Sequence, residues 1–258
     1  MTAKPPASDP WRSLRQTTPA RIGLGRVGDA PPVAAMLDFQ LAHARARDAV
    51  HAALDVDALS SRLGDPKPII VRSRATDRST YLRRPDLGRR LDDASLPLLP
   101  PGGWDAVFVL ADGLSARAVQ AQGPALLDAV LPMLQGWRVA PPVIATQGRV
   151  ALGDEIGDAL GAELCVVLIG ERPGLSVADS LGVYMTHAPR VGRRDSERNC
   201  ISNIHGAGGL SHAAAATKLA WLMTEARRRK LTGVGLKDDA PGLAVAGPAE
   251  LMPPASDG

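Results

Sequence analysis

Two different patterns of hydrophobic and polar positions divide the chain. In residues 31–63, "PPVAAMLDFQLAHARARDAVHAALDVDALSSRL", apolar side chains recur every three or four residues, at Val33, Met36, Leu37 and Leu41. This spacing is typical of an amphipathic helix. The opening prolines and the many strong helix formers favour the same structure. The pattern therefore predicts one long amphipathic helix.

From about residue 68 onward, short apolar runs alternate with segments of helical spacing. The runs predicted as strands are "PIIVRS", "DAVFVLADG", "PPVIATQG", "ELCVVLIGERPG" and "LGVYMTHAP". The segments predicted as helices are "LSARAVQAQGPALLDAVLPMLQG", "DEIGDALG" and "LSHAAAATKLAWLMTEARRRK", and Ser211 is expected to initiate the last of them. Near-continuous apolar strands separated by helices are typical of a parallel sheet covered on both faces. We therefore predict an α/β protein with a mostly parallel sheet.

The two ends of the chain lack this periodicity. Residues 1–20 and 240–258 are rich in Pro, Ala, Ser and Thr, which predicts disordered or draped tails. The folded part is expected to comprise a helical N-terminal region, residues 21–66, and a sheet-containing domain, residues 67–239.

Polar residues follow several of the predicted strands, where open α/β sheets bind their ligands. Val150 and Asp154 follow "PPVIATQ", Glu171 follows "ELCVVLIG", and Cys200 follows "LGVYMTH" in what is expected to be a loop. Asp112 follows "DAVFVL" and is expected to cap or prepare the next helix. The alternatives are a solvated loop for Glu171 and a small hydrophobic contact for Cys200, because the sequence places no base beside that thiol.

Two local patterns resemble ligand sites but lack the required context. "GLGRVG", residues 23–28, matches G-x-G-x-x-G, yet no strand precedes it and no helix follows directly, so an irregular approach to the long helix is expected. His43, Arg47 and His51 are spaced by four residues, and without a carboxylate or third ligand they indicate a polar helix face rather than a metal site. No Walker A, H-E-x-x-H or G-x-S-x-G motif is present, so no self-sufficient catalytic centre is predicted.

Composition narrows the class of protein. A hydrophobic fraction of 45% with 22% charged residues is that of an ordinary globular protein. No apolar run approaches the roughly 18 residues of a membrane span and no signal-peptide stretch is present, which predicts a cytoplasmic protein without membrane association. Cys165 and Cys200 make neither a disulfide framework nor a C-x-x-C site and are expected to be free thiols.

Positive charge is concentrated in the first part of the chain. Residues 1–100 contain 16 Lys and Arg against 11 acidic residues, and seven of these arginines lie in residues 72–90, "RSRATDRSTYLRRPDLGRR". This Arg-rich segment is interpreted as a solvated face with local ion pairs, as a nucleic-acid surface, or as a site for an acidic partner or anionic ligand. An aromatic content of 3% disfavours single-strand stacking.

Longer strings carry a resemblance to one family. "ARIGLGRVG", "LDFQLAHARARDAVH", "SRATDRSTYLRRPDLGRRLD", "GDEIGDALGAELCVVLIGERPGLSVADSLGVYMTHAPRVG", "ERNCISNIHGAGGLSHAAAATKLAWLM" and "LTGVGLKDD" resemble the small (light) subunit of ethanolamine ammonia-lyase. The resemblance runs from about residue 19 to residue 239 and covers most of the chain.

The resemblance implies a function that the motifs alone do not reveal. Enzymes of this family convert ethanolamine to acetaldehyde and ammonia with adenosylcobalamin, and the large (heavy) subunit holds the substrate and the catalytic residues. The small subunit is expected to have a helical N-terminal region and a Rossmann-like domain, with cobalamin between the two subunits. The implied cobalamin contacts of this chain are Val150, Glu171 and Cys200, with no catalytic residue and no metal ligand of its own. A bacterial microcompartment is the narrower alternative to a general cytoplasmic location.

"NIHGAG", residues 203–208, differs by one letter from D-x-H-x-x-G, with which another group of cobalamin enzymes places a histidine on cobalt. Asn203 orients an imidazole less well than an aspartate would. His205 is therefore expected to be a hydrogen-bonding loop residue near the cofactor or the subunit interface. The alternative function for the whole chain is a stand-alone binding protein that uses residues 72–90 for nucleic acid or an acidic partner.

Overall fold

The computed structural model of the protein describes residues 9–206 and 208–239. Within these residues the α-helices are α1 (Arg12–Thr17), α2 (Val33–His51), α3 (Val56–Leu63), α4 (Arg78–Arg83), α5 (Ala116–Val130), α6 (Leu152–Leu160) and α7 (His212–Arg229). The strands are β1 (Ile69–Arg72), β2 (Ala106–Ala111), β3 (Val143–Thr146), β4 (Leu164–Gly170), β5 (Leu181–His187) and β6 (Asn199–Ile204). Short 3-10 helices cover Leu87–Arg89, Leu96–Leu98, Leu131–Met133, Asp195–Glu197 and Gly233–Gly235.

The six described strands form one sheet in the order β1-β3-β2-β4-β5-β6. The β1–β3, β3–β2 and β2–β4 pairings are parallel, whereas β5 is antiparallel to both β4 and β6. The predicted mostly parallel sheet is confirmed, and β6 was not predicted at all. Because β6 runs back beside β5, its carboxyl end lies at the same edge of the sheet as the carboxyl end of β4.

Helices cover both faces of the sheet. On one face, Phe108, Leu110, Val166 and Leu168 belong to a core cluster that includes side chains of α5 and α7. On the other face, alternate residues of the same strands pack with Ile156 and its neighbours on α6. Strands buried on both faces require continuous apolar sequence, which is what "AVFVLA" and "LCVVLIG" provide.

Side-chain caps define where two of these helices begin. Ser115 precedes α5 and accepts a hydrogen bond from the amide of Ala118 at 3.3 Å. Ser211 precedes α7 and accepts one from the amide of Ala214 at 3.2 Å, as the predicted Ser211-initiated helix required. A serine at this position satisfies an amide that has no partner within the helix.

The N-terminal region departs from the predicted single helix. The chain leaves the helix after His51, and Asp55 starts a second helix by accepting a hydrogen bond from the amide of Ala58 at 3.0 Å. The apolar face of α2 is also exposed rather than buried, because the side chains that pack inward are the small Ala42 and Ala49.

Of the predicted tails, residues 1–8 and the whole of residues 240–258 lie outside the described residues. Within residues 9–20, α1 forms a short helix where a tail was expected. The "GLGRVG" segment is irregular, with positive φ at Gly23, Gly25 and Gly28, as expected for an approach to α2. None of the described helices is long and apolar enough to cross a membrane.

Candidate functional site

The three predicted contact residues lie on or next to the sheet, in different structural settings. Val150 lies in the β3–α6 connection, half-buried against the core cluster on the α6 face. Glu171 directly follows β4, as predicted. Cys200 was predicted in a loop, and this is wrong: it is the second residue of β6, where backbone pairing places it opposite Tyr184 of β5. Pro189, Gly192 and Asp195, which lie between β5 and β6, are turn-forming residues that could have indicated this hairpin.

Glu171 reaches across β5 to the backbone of β6. Its Oε2 accepts a hydrogen bond from Ser180 Oγ at 2.5 Å and one from the amide of Asn203 at 3.3 Å. Gly182 makes this possible, because a Cβ there would lie 3.1 Å from Oε1 and 3.2 Å from Cγ of Glu171. The carboxylate is therefore held over the sheet by contacts with two neighbouring strand ends.

Tyr184 connects Glu171 with Cys200 and was not predicted as a site residue. The Tyr184 and Cys200 side chains are hydrogen-bonded to each other. Partial burial, with smaller contributions from Cys200 and Glu171, raises the pKa of Tyr184 to about 12. Partial burial also raises the pKa of the Cys200 thiol, and the nearby charge of Glu171 adds to this effect while the Tyr184 hydrogen bond opposes it. The thiol is thus held neutral rather than activated as a thiolate.

These side chains form a row on one face of the sheet, which we call the Glu171–Tyr184–Cys200 row. Helices α5 and α7 pack on the opposite face of β5 and β6, where Val183 and Ile201 point into their core cluster. Cys200 is exposed on the side of the row. Val150 lies on this same side of the sheet, at the end of β3, with β2 between its strand and β4. The row can supply a carboxylate, a phenol and a thiol to a ligand that approaches the sheet from outside.

Asp112 has a different role from the one predicted. Ser115, not Asp112, caps α5, and the Asp112 carboxylate accepts hydrogen bonds from the amides of Gln147 and Gly148 at 2.8 and 2.9 Å. Burial raises the pKa of Asp112, although these amides and Arg78 favour its charged form. Asp112 therefore connects the ends of β2 and β3.

Asp154, the other polar candidate after β3, is buried in an ion pair. Both of its oxygens accept hydrogen bonds from Arg198, each at 2.7 Å, and Arg198 also donates to Thr186 Oγ1 at 2.7 Å. The side chains of Asp154 and Arg198 are only 3% and 2% exposed, so neither is available to a ligand.

The Arg-rich segment contains four arginines that are neutralised locally, one that points inward, and Arg83 and Arg89, which form no ion pair within the described residues. Four arginines form ion pairs with nearby carboxylates: Arg72 with Asp92, Arg74 with Asp93, Arg84 with Asp86, and Arg90 with Glu155. Arg78 donates to the carbonyls of Val50 and Gly113, at 2.6 and 2.8 Å, and forms an ion pair with the buried Asp112 at 3.8 Å. Local pairing accounts for much of the charge excess seen in the sequence.

His205 is 5% exposed, and its Nε2 is 2.9 Å from Asn203 Oδ1. This agrees with the predicted hydrogen-bonding loop residue. Within the described part of the chain, no group of three or more His, Cys, Asp or Glu side chains is arranged to hold a metal ion. Both cysteines are free thiols, as predicted.

The fold and these contacts define an α/β protein that presents polar side chains along β5 and β6, on the face of its sheet opposite α5 and α7. Its buried ionic groups serve structure, and the raised pKa values of Tyr184 and Cys200 suit ligand contact better than nucleophilic attack.

Comparison with known proteins identifies the family. The family described as "Ethanolamine ammonia-lyase light chain (EutC)" matches residues 8–237. Proteins named "Ethanolamine ammonia-lyase small subunit" include one from Azotobacter vinelandii (strain DJ / ATCC BAA-1303), 53% identical over 251 residues, which cover 93% of either chain. Others are from Xanthomonas campestris pv. campestris (strain B100), 52% identical over 93% of this chain and 91% of its own, and from Rhodococcus erythropolis, 51% identical over 93% and 95%. The chain belongs to the ethanolamine ammonia-lyase light-chain family, whose members are subunits of a lyase. Neither the family nor these relatives favours the nucleic-acid alternative.

Proposed function

We propose that this chain is the small subunit of an adenosylcobalamin-dependent ethanolamine ammonia-lyase and that it encloses the cofactor against a large catalytic subunit. In this role the Rossmann-like domain of residues 67–239 presents Val150, Glu171 and Cys200 to the cobalamin. The observation that carries the proposal is the Glu171–Tyr184–Cys200 row, which lies on the face of the sheet opposite α5 and α7 and ends at the exposed Cys200.

The side chains present suit a corrin ring, which is a broad apolar disc edged with amides. Such a ligand needs apolar contact together with scattered hydrogen-bond partners. Val150 offers the apolar contact, and Glu171 accepts hydrogen bonds from amide N–H groups. Gly182 leaves space on the sheet for the Glu171 side chain, because a Cβ at this position would lie 3.1 Å from Glu171 Oε1. The neutral Cys200 thiol adds a compact, polarisable contact.

Adenosylcobalamin supplies radical chemistry by homolysis of its cobalt–carbon bond, and radicals require a site from which water is excluded. This chain contributes by covering the cofactor and by fixing the cofactor's orientation through Glu171. The hydrogen bonds from Ser180 and from the Asn203 amide hold the Glu171 carboxylate in place before any ligand binds. Preorganised acceptors of this kind cost little ordering when the ligand arrives.

A partner subunit is supported by exposed apolar side chains on the N-terminal region. On α2, Val33, Met36, Leu37, Phe39 and Leu41 are between 42% and 71% exposed. Exposed apolar surface of this extent is typical of protein interfaces. We propose that the large subunit covers this face, here called the α2 apolar face.

Coexpression with a large subunit tests the proposal. The pair should retain cobalamin and release ammonia from ethanolamine in a cobalamin-dependent manner, whereas this chain alone should be inactive. Ammonia release by the purified chain supplied only with the cofactor would refute it. Salt-sensitive nucleic-acid binding by the isolated chain, with no cobalamin retained by the pair, would favour the alternative function.

A further inference from the structure

Asn203, the last residue but one of β6, has a backbone conformation that most residues avoid. Its φ angle is +62°, in the left-handed region. Asparagine tolerates this region better than most residues with a Cβ, and here it accompanies the turn of the Asn203 amide toward Glu171. The direction of that N–H group therefore depends on what holds Asn203 in place.

The side chain of Asn203 is held by His205. Nε2 of the buried imidazole lies 2.9 Å from Oδ1 of Asn203. An amide oxygen can only accept a hydrogen bond, so the imidazole donates it through Nε2–H. Because the ring is buried, the close packing around it fixes the position from which it donates.

Gly209 and Leu210 also secure the pair. The amide of Leu210 donates a hydrogen bond to the Asn203 carbonyl at 2.7 Å. Gly209 lies against the imidazole, and a Cβ there would come within 2.5 Å of His205 Nε2. Asn203 is thus bound through both its carbonyl and its side chain, and its N–H group is directed at Glu171.

The two hydrogen bonds to Glu171 converge on one of its oxygens. Oε2 accepts from Ser180 Oγ and from the Asn203 amide. Oε1 lies over Gly182 and accepts no hydrogen bond from the part of the chain that the structure describes. The rotation of the carboxylate is therefore fixed, with one oxygen bound by the protein and the other available to a ligand.

We propose that Asn203 and His205 are positioning residues that fix Glu171 by its Oε2 and leave Oε1 to accept a hydrogen bond from an amide of the cofactor. This inference rests on the proposed function and adds to it the residues that orient Glu171. His205 acts through Asn203, and neither side chain has to touch the cofactor. Fixing a flexible carboxylate beforehand lowers the ordering that the cofactor must impose when it binds.

The thiol of Cys200 reports where the Glu171 carboxylate lies, without any cofactor. The nearby charge of Glu171 raises the pKa of Cys200. The pH dependence of iodoacetamide alkylation in the full chain measures that pKa. His205→Leu removes the donor to Asn203, so Glu171 should turn toward solvent and the pKa of Cys200 should fall. His205→Gln keeps an N–H group near the position of Nε2 and should restore the original pKa.

A double-variant cycle separates positioning from a general loosening of β6. In a Glu171→Gln background, His205→Leu should leave the pKa of Cys200 where Glu171→Gln alone places it. The reason is that no charge remains to be positioned. A loosened strand would instead change the pKa of Cys200 in either background.

Two further variants guard against misfolding. Asn203→Gly lies at an exposed position where glycine accepts the left-handed φ. It should lower the pKa of Cys200 in the same direction as His205→Leu, because the hydrogen bond to His205 is lost while the fold is retained. His212→Leu is the matched control and should leave this pKa unchanged, because His212 is hydrogen-bonded to Gln122 between α7 and α5, at 2.8 Å.

In the complex with the large subunit, the same substitution should weaken cofactor binding. His205→Leu should raise the Kd of adenosylcobalamin about two- to tenfold, the cost of ordering one flexible side chain on binding. Equilibrium dialysis measures this Kd through the visible absorbance of the corrin. The KM for ethanolamine at saturating cofactor should not change. With Glu171→Ala already present, His205→Leu should raise the Kd no further.

The outcomes distinguish the positioning role from the proposed function. Shifts in the pKa of Cys200 that persist in the Glu171→Gln background, or equal shifts in His205→Leu and His205→Gln, would overturn the positioning role. An equal shift in His212→Leu would overturn it too. A pKa of Cys200 that depends on His205 only when Glu171 is charged, together with normal cobalamin binding by Glu171→Ala, would support the positioning of Glu171 but refute its contact with the cofactor.

Discussion

The guanidinium of Arg198 donates two parallel hydrogen bonds to the carboxylate of Asp154, both 2.7 Å long. The pair joins the first turn of α6 to the residue that precedes β6. Because Cys200 is the second residue of β6, this buried contact positions the strand that carries part of the candidate site.

Breaking this pair is expected to destabilise the protein strongly. Arg198→Ala should lower the free energy of unfolding by about 3 to 5 kcal/mol, because Asp154 would remain buried without its partner. Urea denaturation of the full chain measures the change. The double variant Asp154→Leu with Arg198→Met should lose much less, since apolar residues can replace a buried pair. Equal losses in the single and double variants would mean that packing, rather than the unpaired charge, is responsible.

Glu171→Ala is expected to weaken cobalamin binding to the two-subunit complex. The loss should be about 1.5 to 3 kcal/mol, the usual effect of removing hydrogen bonds to a charged group. The KM for ethanolamine should change little, because the substrate site is expected in the large subunit. Normal cofactor affinity with a greatly raised ethanolamine KM would contradict the assignment of Glu171 to the cofactor.

The two thiols should differ sharply in their reaction with iodoacetamide. Cys165 is fully buried and should react only after unfolding, whereas Cys200 is exposed. Because the pKa of Cys200 lies above its ordinary value, less thiolate is present at pH 8 than in a small-molecule thiol, and alkylation should be slower. The rate should keep rising as the pH passes the ordinary thiol pKa.

Two substitutions should move the Cys200 pKa in opposite directions. Tyr184→Phe removes the hydrogen bond that favours the thiolate, so its pKa should rise further and alkylation at pH 8 should slow. Glu171→Gln removes a negative charge that disfavours the thiolate, so the pKa should fall and alkylation should quicken. Shifts of the same sign in both variants would contradict the arrangement of the Glu171–Tyr184–Cys200 row. In the cobalamin-loaded complex, Cys200 should be protected.

A charge on the α2 apolar face should impair assembly with the large subunit. Leu37→Asp places a carboxylate where the side chain is 57% exposed, so the isolated chain should fold normally. At an apolar interface that carboxylate would be desolvated, and the Kd of the complex should rise at least tenfold in analytical ultracentrifugation. Val234→Asp is the matched control, at an exposed apolar position in a different part of the fold. If the two variants changed the Kd equally, α2 would not be part of the interface.

The Arg-rich segment should influence how fast the subunits associate. Within the described residues, Arg83 and Arg89 have no carboxylate partner, unlike Arg72, Arg74 and Arg84. Replacing both Arg83 and Arg89 with Glu should slow association at low salt, because surface charge mainly affects the rate of encounter. Stopped-flow mixing measures the rate, and salt should reduce the difference from the unmodified chain. An unchanged association rate would indicate that the whole segment is a solvated face with no effect on assembly.

The sequence by itself determined which segments form strands and helices, and it placed two candidate residues relative to the ends of those strands. Continuous apolar runs predicted five of the strands, and Ser211 predicted the start of α7, because burial and capping act over a few neighbouring residues. Strand ends then placed Glu171 and Val150 correctly relative to β4 and β3. The family resemblance came from strings longer than any of these local signals.

Only the tertiary structure decided which distant side chains meet. Cys200 lies beside Tyr184 because β6 pairs with β5, and a pairing register depends on contacts between strands rather than on either strand alone. Arg78 turns inward while Arg74 and Arg84 pair outward, although the three are alike in sequence. The difference arises from what surrounds each guanidinium, since carbonyls, an aromatic ring and the buried Asp112 carboxylate, some of them distant in sequence, compensate the burial of Arg78.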